Sequence, residues 1–194
     1  TAGQFDKIHS SPLKRAYDTA LAVLKTNPQA GDVNKVEKLQ PWHLGKFEGQ
    51  PTDKVIKHIN DYIVHKPDTP IQGRGPESTQ DGESFNQFKN PFLLHVIRQI
   101  EDYKPGEKIL NVAHYRNIRT LESWVKKGAK DDLSIDTKTM TTKGDSDPSD
   151  LFRLDPNTRR ITKVEDASKP GIYFARHGST QWNAENENGK EGGE

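Results

Sequence analysis

The sequence predicts a single α/β domain over residues 1–194: a three-layer α/β/α sandwich around a mostly parallel central sheet. Three observations predict it. Short apolar runs at 5–9, 109–113 and 172–175 have the length and composition of buried strands. Segments with apolar residues at helical spacing alternate with these runs, as crossover helices do. The length of 194 residues is enough for one substantial core.

The elements follow in order. "FDKIH" reads as a strand, and "SSPLKRAYDTALAVLK" as a helix with Ser11 as N-cap and Pro12 in the first helical position. Leu13, Ala16, Tyr17, Ala20, Leu21 and Leu24 form its expected buried stripe. "TDKVIKHINDYIVH" sets Val55, Ile56, Ile59 and Ile63 on one helical face. "GESFNQFKNPFLLHVIRQIEDY" does the same with Phe85, Phe88, Phe92, Val96 and Ile100, and Pro91 is expected to kink it. The turn "KPGE" leads into "KILNVAH", a buried strand, and then a helix carrying Ile118, Leu121 and Val125. Residues 131–150, rich in Asp, Ser, Thr and Lys, read as a surface loop. "LFRLDPNTRRITKVE" reads as a hairpin turning at Pro156 and Asn157, and "IYFA" as the last buried strand. The polar, Gly-rich stretch 184–194 reads as a mobile tail.

Composition narrows the function. The 29 Lys and Arg against 28 Asp and Glu give a net charge of +1, with no long basic run, so no electrostatic footprint for nucleic acid or an anionic membrane is expected. Mean hydropathy is −0.95, polar for a globular chain, yet the apolar periodicity is clear enough to fold. Without cysteine there are no disulfides, thiolate nucleophiles or Cys-ligated metals, which suits a reducing compartment. No apolar run is long enough for a membrane span, and a cytoplasmic location is the expectation. The composition leaves oligomeric state open.

The chemistry gathers at strand ends. Each of the three apolar runs stops at polar groups: "SSPLKRA" after the first, His114 after the second, Arg176 and His177 after the third. Ligands of open α/β sheets sit beyond the carboxyl ends of strands, so these ends are expected to share one crevice. Arg15, in the first turn of a helix, faces the positive end of the helix dipole, an arrangement that a bound anion would favour and a solvated side chain would not need. Arg176 beside His177 would hold the imidazole neutral and nucleophilic, and Gly178 permits a close backbone approach. Structural roles for any single one of these residues are equally readable.

Taken together, "RHGSTQWN", "SSPLKRAYDTA", "HLGKFEG", "DGESFNQF" and "ILNVAH" resemble the motifs of the histidine phosphatase superfamily, whose fold is phosphoglycerate mutase-like. The resemblance implies a metal-independent phosphatase without cofactor, acting on a small-molecule phosphomonoester. It implies that His177 is the nucleophile, forming a phosphohistidine, and that Arg176, Arg15 and His114 surround the phosphoryl oxygens, with Asn183 also within reach. A mutase-type phosphoryl transfer and a non-catalytic scaffold or sensor are the alternatives.

Two departures from the family pattern stand out. The Arg-His-Gly strand comes last here, so the chain reads as circularly permuted with cyclic order otherwise kept, and that strand is expected between those of "FDKIH" and "ILNVAH". The family's usual Glu two residues before the "HLG" position is replaced by Pro41, which cannot donate a proton. The candidate general acids are then His43, Glu48 and Glu83, each of which also has an ordinary structural reading. His43 is preferred because it is nearest the missing Glu and an imidazole titrates near neutrality. Trp42, Phe47 and Trp182 read as core aromatics or as pocket walls.

Overall fold

A computed structural model describes residues 4–75 and 81–178. Six strands, β1 (Lys7–Ser10), β2 (Val33–Lys35), β3 (Lys108–Ala113), β4 (Leu151–Leu154), β5 (Ile161–Val164) and β6 (Gly171–Arg176), form one sheet. Their order is β2-β1-β3-β6-β4-β5. The pairings β1·β2, β1·β3 and β3·β6 are parallel, while β4 is antiparallel to both β6 and β5. Only β4 is therefore reversed among the described strands, and the sheet is mostly parallel as expected.

The helices are α1 (Lys14–Leu24), α2 (Thr52–Val64), α3 (Phe85–Glu101), α4 (Tyr115–Lys126) and α5 (Thr137–Thr141). Strand alternation sorts the core into two faces. Ile109, Ala113, Ile172 and Phe174 pack with Phe92, Val96, Leu121 and Trp124 of α3 and α4. Leu110, Val112, Tyr173 and Ile8 pack with Ala16 and Ala20 of α1. Each large side chain so buried contributes about 1.5–3 kcal/mol, which makes α3 and α4 the heavier layer. A third cluster, Trp42, Phe47, Val55, Ile59, Ile63, Ile71, Phe85, Phe88 and Met140, holds α2 and α5 against the first turns of α3.

Four sequence expectations need correction. β3, not β6, lies between its two parallel neighbours, with β6 one position further on. The burial of every residue from Ile109 to Ala113 is what a strand covered on both faces requires. Helix α1 begins at Lys14 rather than at Pro12, with Leu13 as an N-cap that makes no side-chain bond. The Ser11 hydroxyl accepts the Leu13 N–H at 3.3 Å and is also engaged with His114. Within α1 only Ala16 and Ala20 are buried, while Leu21 is exposed, so close approach by small residues replaces a wide apolar stripe. The segment 131–150 is not all loop: Asp136 caps α5 by accepting the Thr139 N–H at 2.9 Å, and Met140 is buried.

The hairpin is as expected, with β4 and β5 joined through Asp155, whose carboxylate accepts the Asn157 N–H at 2.8 Å. Pro91 sits inside α3 without interrupting the helix, and Ser84 with Gln87 forms a full capping box at its start. β2 carries no signal that sequence reading used. Among the described residues no helix is long and apolar enough to cross a membrane. Trp182, Asn183 and the stretch 184–194 lie outside the described residues.

Candidate active site

Parallel pairing brings three strand ends to one edge. Ser10 stands opposite Val112, and Ala113 opposite Arg176. Two further backbone bonds extend this register past the strands: Ser11 N–H donates to Val112 O at 2.9 Å, and His177 N–H to Ala113 O at 3.1 Å. Ser11, His114 and His177 are thereby fixed in adjacent positions, as crevice geometry at the carboxyl ends of strands requires.

The two imidazoles lie with ring centroids 5.2 Å apart, inclined at 56°. His114 Nε2 is 2.9 Å from Ser11 Oγ, and both residues are buried. This bond orients the His114 ring. His177 Nδ1 is 2.9 Å from Gly178 O; a carbonyl only accepts, so Nδ1 carries the proton and Nε2 is left with its lone pair. Gly178 is itself held, its N–H donating to Thr19 Oγ1 of α1 at 3.0 Å.

Both histidines favour the neutral state. Burial is the main cause at His114, with Arg15, His177 and Arg176 adding to it, and its pKa falls to about 3. His177 is lowered chiefly by burial, then by Arg15 and Arg176, against the opposing bond to Gly178. The neutral imidazole expected from Arg176 is thus obtained, but desolvation outweighs the arginine.

Arg15, Arg176, His114 and His177 line one cleft with His43, Glu48 and Glu83. Arg176 is braced by Tyr115, its guanidinium 5.5 Å from the ring centroid. The three acid candidates form a group of their own. His43 Nε2 is 3.6 Å from Glu48 Oε1, the His43 N–H donates to Glu83 Oε2 at 3.1 Å, and the Leu44 N–H donates to Glu48 Oε1 at 3.1 Å. Glu48 and Glu83 thus hold the backbone of the "HLG" segment, a structural task that does not remove them from the cleft. Trp42 and Phe47 are both core and cleft wall: each is buried, and the Trp42 Nε1–H donates to Glu83 O at 3.0 Å.

Asn183 lies outside the described residues. Two residues at the site were missed by sequence reading. Ser11 stands out only through its bond to His114, and Arg116 only because it faces the cleft. A serine directly after a strand and an arginine two past a histidine are too ordinary a local signal. Among the described residues no group of three or more His, Asp or Glu could hold a metal ion.

The arrangement offers an anion a polar end lined with guanidinium groups and two neutral imidazoles, each with one ring nitrogen that no described residue engages. Comparison with known proteins agrees in kind. The chain is 29% identical over 118 residues to a protein of Arabidopsis thaliana named metal-independent phosphoserine phosphatase, covering 59% of this chain and 46% of that one. The chain therefore spans about half the length of that curated relative. Residues 1–140, well over half of the chain, match the family model described as histidine phosphatase superfamily (branch 1). On the mixed α/β sheet and this match, the chain belongs to the histidine phosphatase superfamily.

Proposed function

We propose that the protein is a phosphatase that hydrolyses phosphomonoesters through a phosphohistidine on His177. The observation that carries this reading is His177 itself: its Nδ1 proton is committed to Gly178 O, leaving Nε2 as the available nucleophile. It stands beside the neutral His114. In the first step the Nε2 lone pair attacks phosphorus in line, the P–N bond forms, and the P–O ester bond breaks. The departing alkoxide takes a proton from His43, supported by Glu48 and Glu83 around the same segment. Water, giving a proton back to the now neutral His43, then attacks the phosphohistidine, the P–N bond breaks with its electron pair returning to Nε2, and inorganic phosphate leaves. Arg15 and Arg176 stabilise the charge gathering on the equatorial oxygens in both steps, with Asn183 as a further phosphate contact.

As written, this chemistry requires no metal, in line with the name of the Arabidopsis relative. The Arg-His-Gly strand is read as belonging to the same domain in circularly permuted order. Its parallel pairing with β3, in register from Gly171 to Arg176, supports that reading.

The test is turnover of p-nitrophenyl phosphate and a panel of phosphomonoesters, with acid-quenched trapping of labelled phosphohistidine, for the wild type and His177→Ala. Wild-type turnover with phosphate label on His177, both abolished in the variant, is the expected result. No turnover and no label on any ester would overturn the proposal, and transfer of the label to a second alcohol rather than to water would make it a mutase.

A further inference from the structure

Two neutral imidazoles stand side by side at the strand ends, and the chemistry needs only one of them as a nucleophile. Their hydrogen bonds differ. His177 gives its Nδ1 proton to Gly178 O and keeps the Nε2 lone pair free. At His114 it is Nε2 that is engaged, 2.9 Å from Ser11 Oγ, while Nδ1 is buried with no partner among the described residues.

The direction of the Ser11–His114 bond follows from counting protons. The hydroxyl has one to give, and its oxygen already accepts the Leu13 N–H at 3.3 Å. Among the described residues the one acceptor within its reach is His114 Nε2. Were a proton on Nε2 to be donated to Oγ instead, the hydroxyl proton and the Nδ1 lone pair would both be stranded in a buried place. The chosen direction strands the Nδ1–H alone. Although His114 is the N-cap of α4, its side chain accepts no bond from the first turn, as a protonated Nδ1 requires. A doubly protonated ring is disfavoured by burial and by Arg15, His177 and Arg176 around it.

The same pair has the geometry of a serine activated by a base. Ser11 is fully buried, however, and an imidazole whose pKa falls to about 3 is too weak a base to take its proton.

We propose that Ser11 decides which imidazole is the nucleophile. By donating its O–H to His114 Nε2 it occupies the one lone pair of that ring, so His114 is left as an N–H donor that cannot attack phosphorus. His177, bonded through Nδ1 instead, keeps the lone pair that can. Ser11 is thus a positioning residue acting through His114, and the assignment rests on the reading of His177 as the phosphoryl acceptor.

Nitrogen NMR of protein carrying isotope-labelled histidine, near neutral pH, reads the tautomer, with His114→Gln identifying the His114 signals. The wild-type ring should carry its proton on Nδ1 with Nε2 as acceptor, and in Ser11→Ala the Nε2 signal should move to that of an unbonded lone pair. A wild-type ring protonated on Nε2 would overturn the proposal. Phosphorylation by phosphoramidate reads the consequence. The bond from imidazole to phosphorus forms as the P–N bond to ammonia breaks, and ammonia leaves with the protons it already carries. Mass spectrometry of the peptides should place the phosphate on His177 in the wild type and very little on His114 in His177→Ala. The double variant Ser11→Ala, His177→Ala should carry about 2–10-fold more on His114, the factor expected from releasing one hydrogen bond. Equal labelling of His114 in the single and double variants would overturn the proposal, as would phosphate on Ser11. If wild-type His177 takes no label while His114 is protonated on Nδ1, the nucleophile reading fails and the assigned direction of the Ser11–His114 bond stands.

Discussion

Replacing Gly45 with Ala would set a methyl group against backbone on three sides. The residue has φ of 52°, and a Cβ there would lie 2.5 Å from Gln72 O, 2.9 Å from Ile71 O and 3.1 Å from Gly82 N. None of these atoms can swing aside. Gln72 O accepts the Lys46 N–H at 2.8 Å, and Ile71 O accepts the Gly82 N–H at 2.7 Å, so relief of the clash breaks the bonds joining these segments. The left-handed backbone costs a non-glycine residue about 1–2 kcal/mol, and the overpacking adds about 1–3 kcal/mol. Gly49→Ala separates the two effects. Its φ is 69°, but its Cβ would meet only Arg74 Nη2, at 3.3 Å, the far end of a flexible side chain. Urea unfolding should show a loss of about 1–2 kcal/mol for Gly49→Ala and of about 2–5 kcal/mol for Gly45→Ala. The displaced segments carry His43, Glu48 and Glu83, so Gly45→Ala should also slow alkyl phosphates more than p-nitrophenyl phosphate, whose leaving group needs little help. Equal stability of the two variants would refute the close backbone packing inferred for this loop pair.

Acid stability and core packing provide further checks. His9 and His95 lie with ring centroids 6.2 Å apart between β1 and α3, and both have lowered pKa values, His95 to about 4. Burial is the main cause at His95, followed by His9 and Lys38, with Arg98 adding to it and a bond with Asn111 opposing. At His9 burial leads and Lys7 adds. Their neutral forms favour the fold, so this contribution is complete above about pH 6.5 and is lost as pH falls toward 4, on the order of 3 kcal/mol for His95. His95→Gln should flatten unfolding free energy against pH over that window, and an unchanged slope would count against the linkage. Phe92 is fully buried and packs edge-on to Phe174 with centroids 6.4 Å apart. Phe92→Ala should therefore cost about 3–5 kcal/mol in denaturant midpoints, and a loss below about 1 kcal/mol would contradict its place in the core.

Much of the fold was legible because its signals are local. Strands β3 and β6 are apolar runs, and α2 and α3 carry their buried residues at helical spacing. The errors arose where local chemistry had two uses. Ser11 has the composition of an N-cap, but its hydroxyl bonds His114, 103 positions away, and the helix starts later. The polar segment 131–150 has the composition of a loop, yet a capping Asp136 and one buried Met140 suffice for a helical turn. Arg119 explains part of that, donating to the carbonyl oxygens of Thr139 and Thr142 from α4.

The sequence by itself determined the fold class, the family and the identities of the residues at the strand ends, because periodicity and motif spacing are properties of neighbouring residues. The tertiary structure alone decided that β3 stands between β1 and β6 and that His114 and His177 meet at 5.2 Å. It also decided that Glu48 and Glu83 gather around His43, and that the Arg116 guanidinium lies over the Trp42 ring. Each of these is a meeting of distant segments, and which strand lies beside which is set by how the whole sheet buries its two faces.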